Sequence, residues 1–196
     1  MRDTRAELLL QAEPLIRGRG YSGFSYADLA AVVGIRKASI HHHFPTKADL
    51  ALALVGAYDA RYDAALAAIL AQTTDGVARI EAYGRLYLGG VEDDLGCLCA
   101  VLAVERDTLP EPVRIAVTRF FDKHIAWLEA VLADGLRDGG VRADVIPASS
   151  ARLVVATLEG ALLLERVLAG TTGFRETLGA LCDALRPPRA GRVART

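Results

Sequence analysis

Apolar residues return every three or four positions along almost the whole of this chain, and no segment alternates with the period of two that a half-buried strand requires. A sheet is thereby excluded as the organising element, and the chain reads as all-α. Leu8, Leu9, Ala12, Leu15 and Ile16 share one face of a first helix that stops at residues 18–20. Pro14 lies inside it and is expected to kink or locally break it, since an interior proline costs about 3 kcal/mol. Thr46 is placed to cap a long helix to about residue 70, and Thr74 or Asp75 opens a further helix carrying Ile80, Tyr83, Tyr87 and Val91. Gly96 separates that helix from one over about residues 98–106, and Pro110-Glu111-Pro112 starts a long helix to about residue 136. Gly139-Gly140 and Pro147 bracket a loop, Ser149 or Ser150 caps a helix to about residue 168, and Thr172 starts a last one to about residue 185. With two short helices between residues 26 and 44, about nine helices are expected.

A chain of 196 residues with 52% hydrophobic content can bury a core for one or two domains. No apolar run follows Met1-Arg2-Asp3-Thr4-Arg5, and no stretch of about twenty apolar residues lacks charge, so neither a signal peptide nor a membrane span is expected. Cytoplasmic residence is the corresponding expectation. Three cysteines, Cys97, Cys99 and Cys182, suit a reducing compartment better than a disulfide framework.

Residues 25–50 carry the most local information. Ser25 and Asp28 have the spacing of a capping box, so a helix begins at Tyr26. Leu29 and Val33 share its inner face, and Ala30 is small where a crossing helix must come close. Gly34 ends the helix in the left-handed conformation that glycine adopts cheaply. Ile35 can plug the corner before a second short helix, from about Lys37 to Phe44, which Pro45 terminates. At about 100° per residue, Ile40, His43 and Phe44 lie on one side while Lys37, Ala38, His41 and His42 lie across the other. This is the layout of a helix-turn-helix, whose second helix enters the major groove of DNA. Charge is distributed to match: residues 1–50 carry seven Lys/Arg against five Asp/Glu, residues 51–185 twelve against nineteen, and residues 186–196 four arginines and no acid.

The segment resembles the DNA-binding domain of the TetR-type transcriptional regulators. Ala30, Gly34, the His41-His42-His43-Phe44 run and Lys47 at the head of the next helix carry the resemblance. Ala38 stands where the family commonly has glycine, and His41 where tyrosine is frequent. The resemblance implies a helix-turn-helix domain over residues 1–46, a helical ligand-binding and dimerisation domain over 47–186, and a basic mobile tail over 187–196. It implies a homodimer that binds double-stranded palindromic operator DNA and is released by a small-molecule effector, hence a repressor. Ser25, Arg36, Lys37, Ala38, Ser39, His41, His42 and Lys47 are the candidate DNA contacts. No cofactor and no metal is expected: consecutive helical histidines diverge by about 100° and cannot converge on one ion.

In the second domain, Val117, Phe120, Phe121, His124, Trp127, Leu128, Val131 and Leu132 form one broad stripe. Either His124 ties helices together through a backbone carbonyl or Glu105, or Tyr83, Tyr87, Glu105, His124 and Trp127 line a pocket between helices. Gly96-Cys97-Leu98 followed by Glu105 is similar to a run in one subset of TetR-type regulators, some of which sense electrophiles through a cysteine there. That role needs an accessible thiolate beside a cation, for which Arg106 is the nearest candidate, and the alternative is an inert core thiol. Leu153, Thr157, Gly160, Ala161, Leu164 and Leu168, then Phe174, Leu178, Leu181 and Leu185, spread apolar or small residues widely enough for a four-helix dimer bundle, or else are core helices. Two further readings stand beside the regulator. One is an all-helical enzyme using Glu105 and His124, whose spacing with Cys97 matches no recognised catalytic set; the other is a constitutive DNA-binding dimer with a filled second core.

Overall fold

Side chains able to satisfy the amides freed at a helix start stand before four of the helices, and the computed structural model, which describes residues 3–168 and 170–188, shows those caps in place. Among the described residues there are ten α-helices and no strand: α1 (Thr4–Arg19), α2 (Tyr26–Val33), α3 (Lys37–His43), α4 (Lys47–Gln72), α5 (Gly76–Arg85), α6 (Leu88–Glu92), α7 (Leu98–Val104), α8 (Glu111–Arg137), α9 (Pro147–Leu168) and α10 (Thr172–Leu185). Asp3 accepts from the amides of Arg5 and Ala6, Asp75 from that of Ala78, and both Ser25/Asp28 and Thr46/Asp49 close capping boxes. Of the basic tail expected over 187–196, residues 189–196 lie outside the described residues.

Three local readings change. The single helix expected after Asp75 is divided, because the amides of Leu86 and Tyr87 bond to carbonyls three residues back and tighten the backbone there; α6 then carries Gly89 and Gly90, both poor helix formers. This division accounts for ten helices rather than about nine. Pro14 stays within a continuous α1: its ring lies on the exposed side, while Leu8, Ala12 and Ile16 pack opposite and hold the helix. Neither Ser149 nor Ser150 caps α9, which starts at Pro147, a residue whose fixed φ suits a first helical position; the Ser149 hydroxyl donates to the Ile146 carbonyl at 3.2 Å.

The first three helices share a core of Leu8, Ala12, Ile16, Phe24, Leu29, Ile40 and Phe44, and α4 brings Leu50 and Ala51 to α1. Tyr26 links the end of α3 to α2 by donating to the carbonyls of Phe44 and Thr46. Beyond, α8 packs on α4, α5, α7 and α9, and α10 closes over α5 and α9. Contact between α5 and α8 is close enough to need glycine. A Cβ on Gly135 would stand 2.6 Å from Val141 Cγ2 and 3.4 Å from the Cα of Gly76. By contrast, Gly56 faces open space on α4.

Gly135→Val should therefore cost about 1–3 kcal/mol and lower the melting temperature by several degrees, whereas Gly56→Ala should raise stability by about 0.5–1 kcal/mol. Denaturant unfolding of both variants checks the pair, and equal effects would refute the packing assigned to Gly135.

Candidate DNA-binding surface and effector cavity

In the helix-turn-helix, Gly34 has φ 76° and ψ 31°, and the amides of Gly34 and Ile35 both return to the carbonyl of Ala30. That turn aims α3 so that Ile40 and Phe44 are buried, His43 is half-buried, and Arg36, Lys37, Ala38, Ser39, His41 and His42 are exposed. The Arg5 guanidinium lies 5.1 Å over the Phe44 ring and steadies the end of α3 from α1. Three candidate contacts have intramolecular duties. The Ser25 hydroxyl is engaged with Asp28 in the cap, and His41 Nδ1 lies 3.1 Å from the Pro45 carbonyl with its ring edge-on to Tyr26. Lys47 turns inward: its ammonium donates to the Phe24 carbonyl and sits 4.8 and 4.4 Å over the rings of Tyr21 and Phe24. Burial there lowers its pKa, against the fields of Glu105 and Asp28. Exposed and outward on α3, Arg36, Lys37, Ser39 and His42 are the side chains best placed for a groove.

In the body, four of the five pocket candidates converge. His124 Nδ1 is 3.0 Å from the Tyr83 hydroxyl, Tyr83 is 3.3 Å from the Tyr87 hydroxyl, and Trp127 stacks on Tyr83 at 5.8 Å. Glu105 is elsewhere. It ends α7 on the side of the helix-turn-helix, where its carboxylate accepts the Ser22 amide at 2.9 Å. Burial works against its charge, but hydrogen bonds from Ser22 and Tyr21 and the charge of Lys47 outweigh it and hold the carboxyl below its ordinary pKa. The acid that joins the cluster is Glu159, which the sequence reading missed: Tyr87 donates to its Oε1 at 3.3 Å, and the Cys97 thiol is close enough for each to shift the other's pKa. Its signal was present, since it is the only charge among residues 153–164. Tyr58 and Tyr62, one turn apart on α4, complete the aromatic wall, with Tyr62 5.0 Å from His124.

Two clefts of about 210 Å³ each flank Cys97 and Leu162. The first reaches Arg17, Tyr58, Tyr62 and Tyr87; the second runs between α7 and α9 past Glu159. Cys97 is buried, and burial together with the charge of Glu159 pushes its thiol pKa well up, so it rests as a thiol. Arg106, expected as its cation, is exposed and pairs with Asp107 at 3.2 Å.

The two helices expected at a dimer seam behave differently. Leu153, Leu164 and Leu168 of α9 are more than 60% exposed, with Thr157 and Gly160 half-buried between them. Ala161 and, on α10, Phe174, Leu178, Leu181 and Leu185 fill the chain's own core instead, because α10 lies across α5 and α9 with that face inward. Leu163 and Val167 extend the exposed α9 stripe.

Burial sets two opposed pH dependences. Desolvation lowers His124 from 6.5 to about 4, so its neutral form is the folded one and stability is lost as pH falls through that interval. Desolvation raises Glu159 from 4.5 to about 7, so its contribution is full below 4.5 and lost as pH rises through 7. Glu159→Gln should thus gain on the parent by on the order of 2–3 kcal/mol between pH 5 and pH 8. Urea unfolding across that range checks it, and a constant offset would contradict the assignment.

Comparison with known proteins agrees with this geometry. Residues 8–54 match the family model described as bacterial regulatory proteins, tetR family, and residues 76–181 match that of the tetracyclin repressor-like C-terminal domain. A transcriptional regulator of the TetR family from Agrobacterium tumefaciens is 35% identical, covers 93% of this chain and 98% of its own, and superposes with a TM-score of 0.88. The reduced form of E. coli NemR is 25% identical over 96% of this chain and 100% of its own, with a TM-score of 0.82. The HTH-type transcriptional repressor DhaR of Mycobacterium sp. (strain GP1) is 23% identical over 93% of this chain and 92% of its own. With both family models matched in order along one chain, and the helix-turn-helix and helical body arranged as described, this chain belongs to the TetR family of DNA-binding transcriptional regulators.

Proposed function

We propose that the chain is a homodimeric repressor that leaves a palindromic operator when a small molecule enters its body. The observation that carries the ligand-responsive reading is a buried acceptor at the cleft between α7 and α9, Glu159 Oε2, with no hydrogen-bond partner among the described residues; His124 Nε2 and Trp127 Nε1 are unpaired too but lie behind the clefts, not on their walls. A core built only for stability pairs such atoms; a binding cavity leaves them for its ligand. The enzyme reading loses its pair, since Glu105 and His124 lie at different places and Glu105 is engaged with Ser22.

α7 supplies the link to the DNA. At its start the Arg17 Nε of α1 donates to the Gly96 carbonyl at 2.7 Å, and at its end Glu105 holds the Ser22 amide, while Ala100, Val101 and Val104 face the second cleft. An occupant that displaces α7 shifts both attachments and with them α3. Coupling of about 1–3 kcal/mol is sufficient, and it is reciprocal. The exposed α9 stripe supports the dimer, and two copies of α3 on a twofold axis read half-sites about 34–36 Å, or a multiple of that, apart. A covalent variant of the same reading is favoured by one juxtaposition: Cys97 borders both clefts beside Glu159, so that the sulfur can add to an electrophilic carbon of the occupant while its proton passes to the carboxylate.

Two outcomes are expected. With the operator selected from random duplex DNA, Arg36→Ala and Lys37→Ala each lessen the log–log salt slope of binding by about one, and Leu164→Arg yields a monomer that loses operator affinity at least about tenfold; unchanged slopes and an intact dimer would refute both surfaces. A small molecule that raises the melting temperature must weaken operator binding by the same factor by which operator weakens it, and intact mass distinguishes reversible occupancy from an adduct on Cys97. Equal ligand affinity with and without operator would reject the mechanism.

A further inference from the structure

Resting on the reading of the body as an effector-binding unit, we propose that the groove between α7 and α9 takes a small amphoteric molecule, an apolar chain with an amine at Glu159 and a carboxylate at Arg166. Glu159 and Arg166 are seven residues apart on α9, which is two turns and about 10 Å along the axis, so both border the same groove at different heights. Between them the wall is apolar, made by Ala100 and Val101 of α7 and Leu162 of α9, with the exposed Val104 and Leu163 at its rim, Leu163 belonging also to the α9 stripe. The space is about 210 Å³, which limits the occupant to a small molecule.

Each end presents one buried polar atom with no hydrogen-bond partner among the described residues, an acceptor at Glu159 Oε2 and a donor at Arg166 Nε, although the Arg166 side chain as a whole is 23% exposed. Glu159 is already oriented, since Tyr87 holds its Oε1 and leaves Oε2 over. That same Arg166 Nε lies 3.5 Å from Asp94 Oδ1, an ion pair without hydrogen-bond geometry, and since the Asp94 carboxylate is largely in solvent the pair is weak. Room for the guanidinium comes from Gly96, where a Cβ would meet Arg166 Nη1 at 3.3 Å and Val101 Cγ2 at 2.6 Å. A buried charge is best matched by an opposite charge in hydrogen-bonding geometry, and a guanidinium fits a carboxylate through two parallel donors. A simple amine leaves Arg166 with only its weak pair to Asp94; a simple acid leaves Glu159 Oε2 without a partner. Only a molecule bearing both groups completes the groove, and it adds no net charge to it.

The test uses the full-length protein and calorimetric titration with three probes of similar length, 6-aminohexanoate, hexylamine and hexanoate, followed by shorter and longer ω-amino acids. The amino acid is expected to bind at least about tenfold more tightly than either single-ended probe, the factor that one lost charge-assisted hydrogen bond supplies. Glu159→Gln should abolish its advantage over hexanoate, and Arg166→Met its advantage over hexylamine. Affinity for the amino acid should also rise as pH is raised through about 7, as Glu159 ionises. The groups that face Glu159 are Tyr87 and Cys97, with Tyr83, Tyr62 and His124 behind them and Arg166 on its own helix; burial carries the tyrosines and the thiol up and His124 down to about 4, leaving Glu159 to titrate in this range. Equal binding of the three probes in the parent protein, binding of none at any length, or preferences that survive both substitutions would overturn the proposal. Selective binding that leaves the operator complex intact upholds the ligand class and rejects the regulatory reading. Operator release by molecules that bind both variants as well as the parent does the reverse.

Discussion

Besides the continuous α4, the short helix α7 ties the body to the DNA-binding unit at both of its ends. Its first carbonyl neighbour, Gly96, accepts from Arg17 of α1, and its last residue is followed by Glu105, which accepts from Ser22 just before α2. Hydrogen bonds to charged groups contribute about 1.5–3 kcal/mol each, the same order as the free energy by which one site biases another. Seven residues fixed at both ends to one unit and bordered on a side by a cleft of the other are suited to act as the lever that the proposed mechanism needs. A longer helix, or one held at a single end, would absorb a ligand's displacement in its own bending.

What was legible in the sequence was legible because its cause is local. Ser25 and Asp28, Gly34, and Pro45 determine the bounds of α2 and α3 through a cap, a left-handed turn and a missing amide, and the structure has them where the spacing predicts. Pro187 ends α10 in the same way, while its start at Thr172 has no side-chain cap. The directions of Lys47 and Glu105 are not legible for the opposite reason: each side chain is directed by a carbonyl or amide distant in sequence, Phe24 for one and Ser22 for the other. The leucines of α9 and α10 show a subtler failure. Both helices are apolar over more than one face, and only the crossing of α10 over α5 determines that Phe174 and Leu178 turn inward while Leu153 and Leu164 do not. Glu159 was overlooked as an isolated acid, although isolation in an apolar run is what makes an acid costly and therefore informative.

The body is polar at its centre in a way that opposes its own stability. His124 is held neutral, Glu159 is held near the middle of its titration at neutral pH, and Cys97 is held protonated, all chiefly by burial. Replacing such groups by hydrocarbon is often neutral or stabilising, so their retention points to specificity rather than strength. The aromatic rings around them, Tyr62, Tyr83, Phe120 and Trp127, keep the cluster rigid while leaving its polar atoms uncommitted. A rigid frame around unmatched hydrogen-bonding groups discriminates strongly against an occupant that fails to pair them.

The inward turn of Lys47 has a practical consequence for modularity. A cut at residue 46 looks natural because the helix-turn-helix ends there, yet the ammonium that follows it closes the corner between α1 and α2 by bonding Phe24 and covering Tyr21. Leu50 and Ala51, one turn on, belong to the same core. A chimera that carries this reading head onto another body therefore has to cross over inside α4, beyond that turn, and has to bring residues equivalent to Gly96 and Glu105 with it. The transferable unit is defined by what its first foreign helix plugs, and it is larger than the segment that touches DNA.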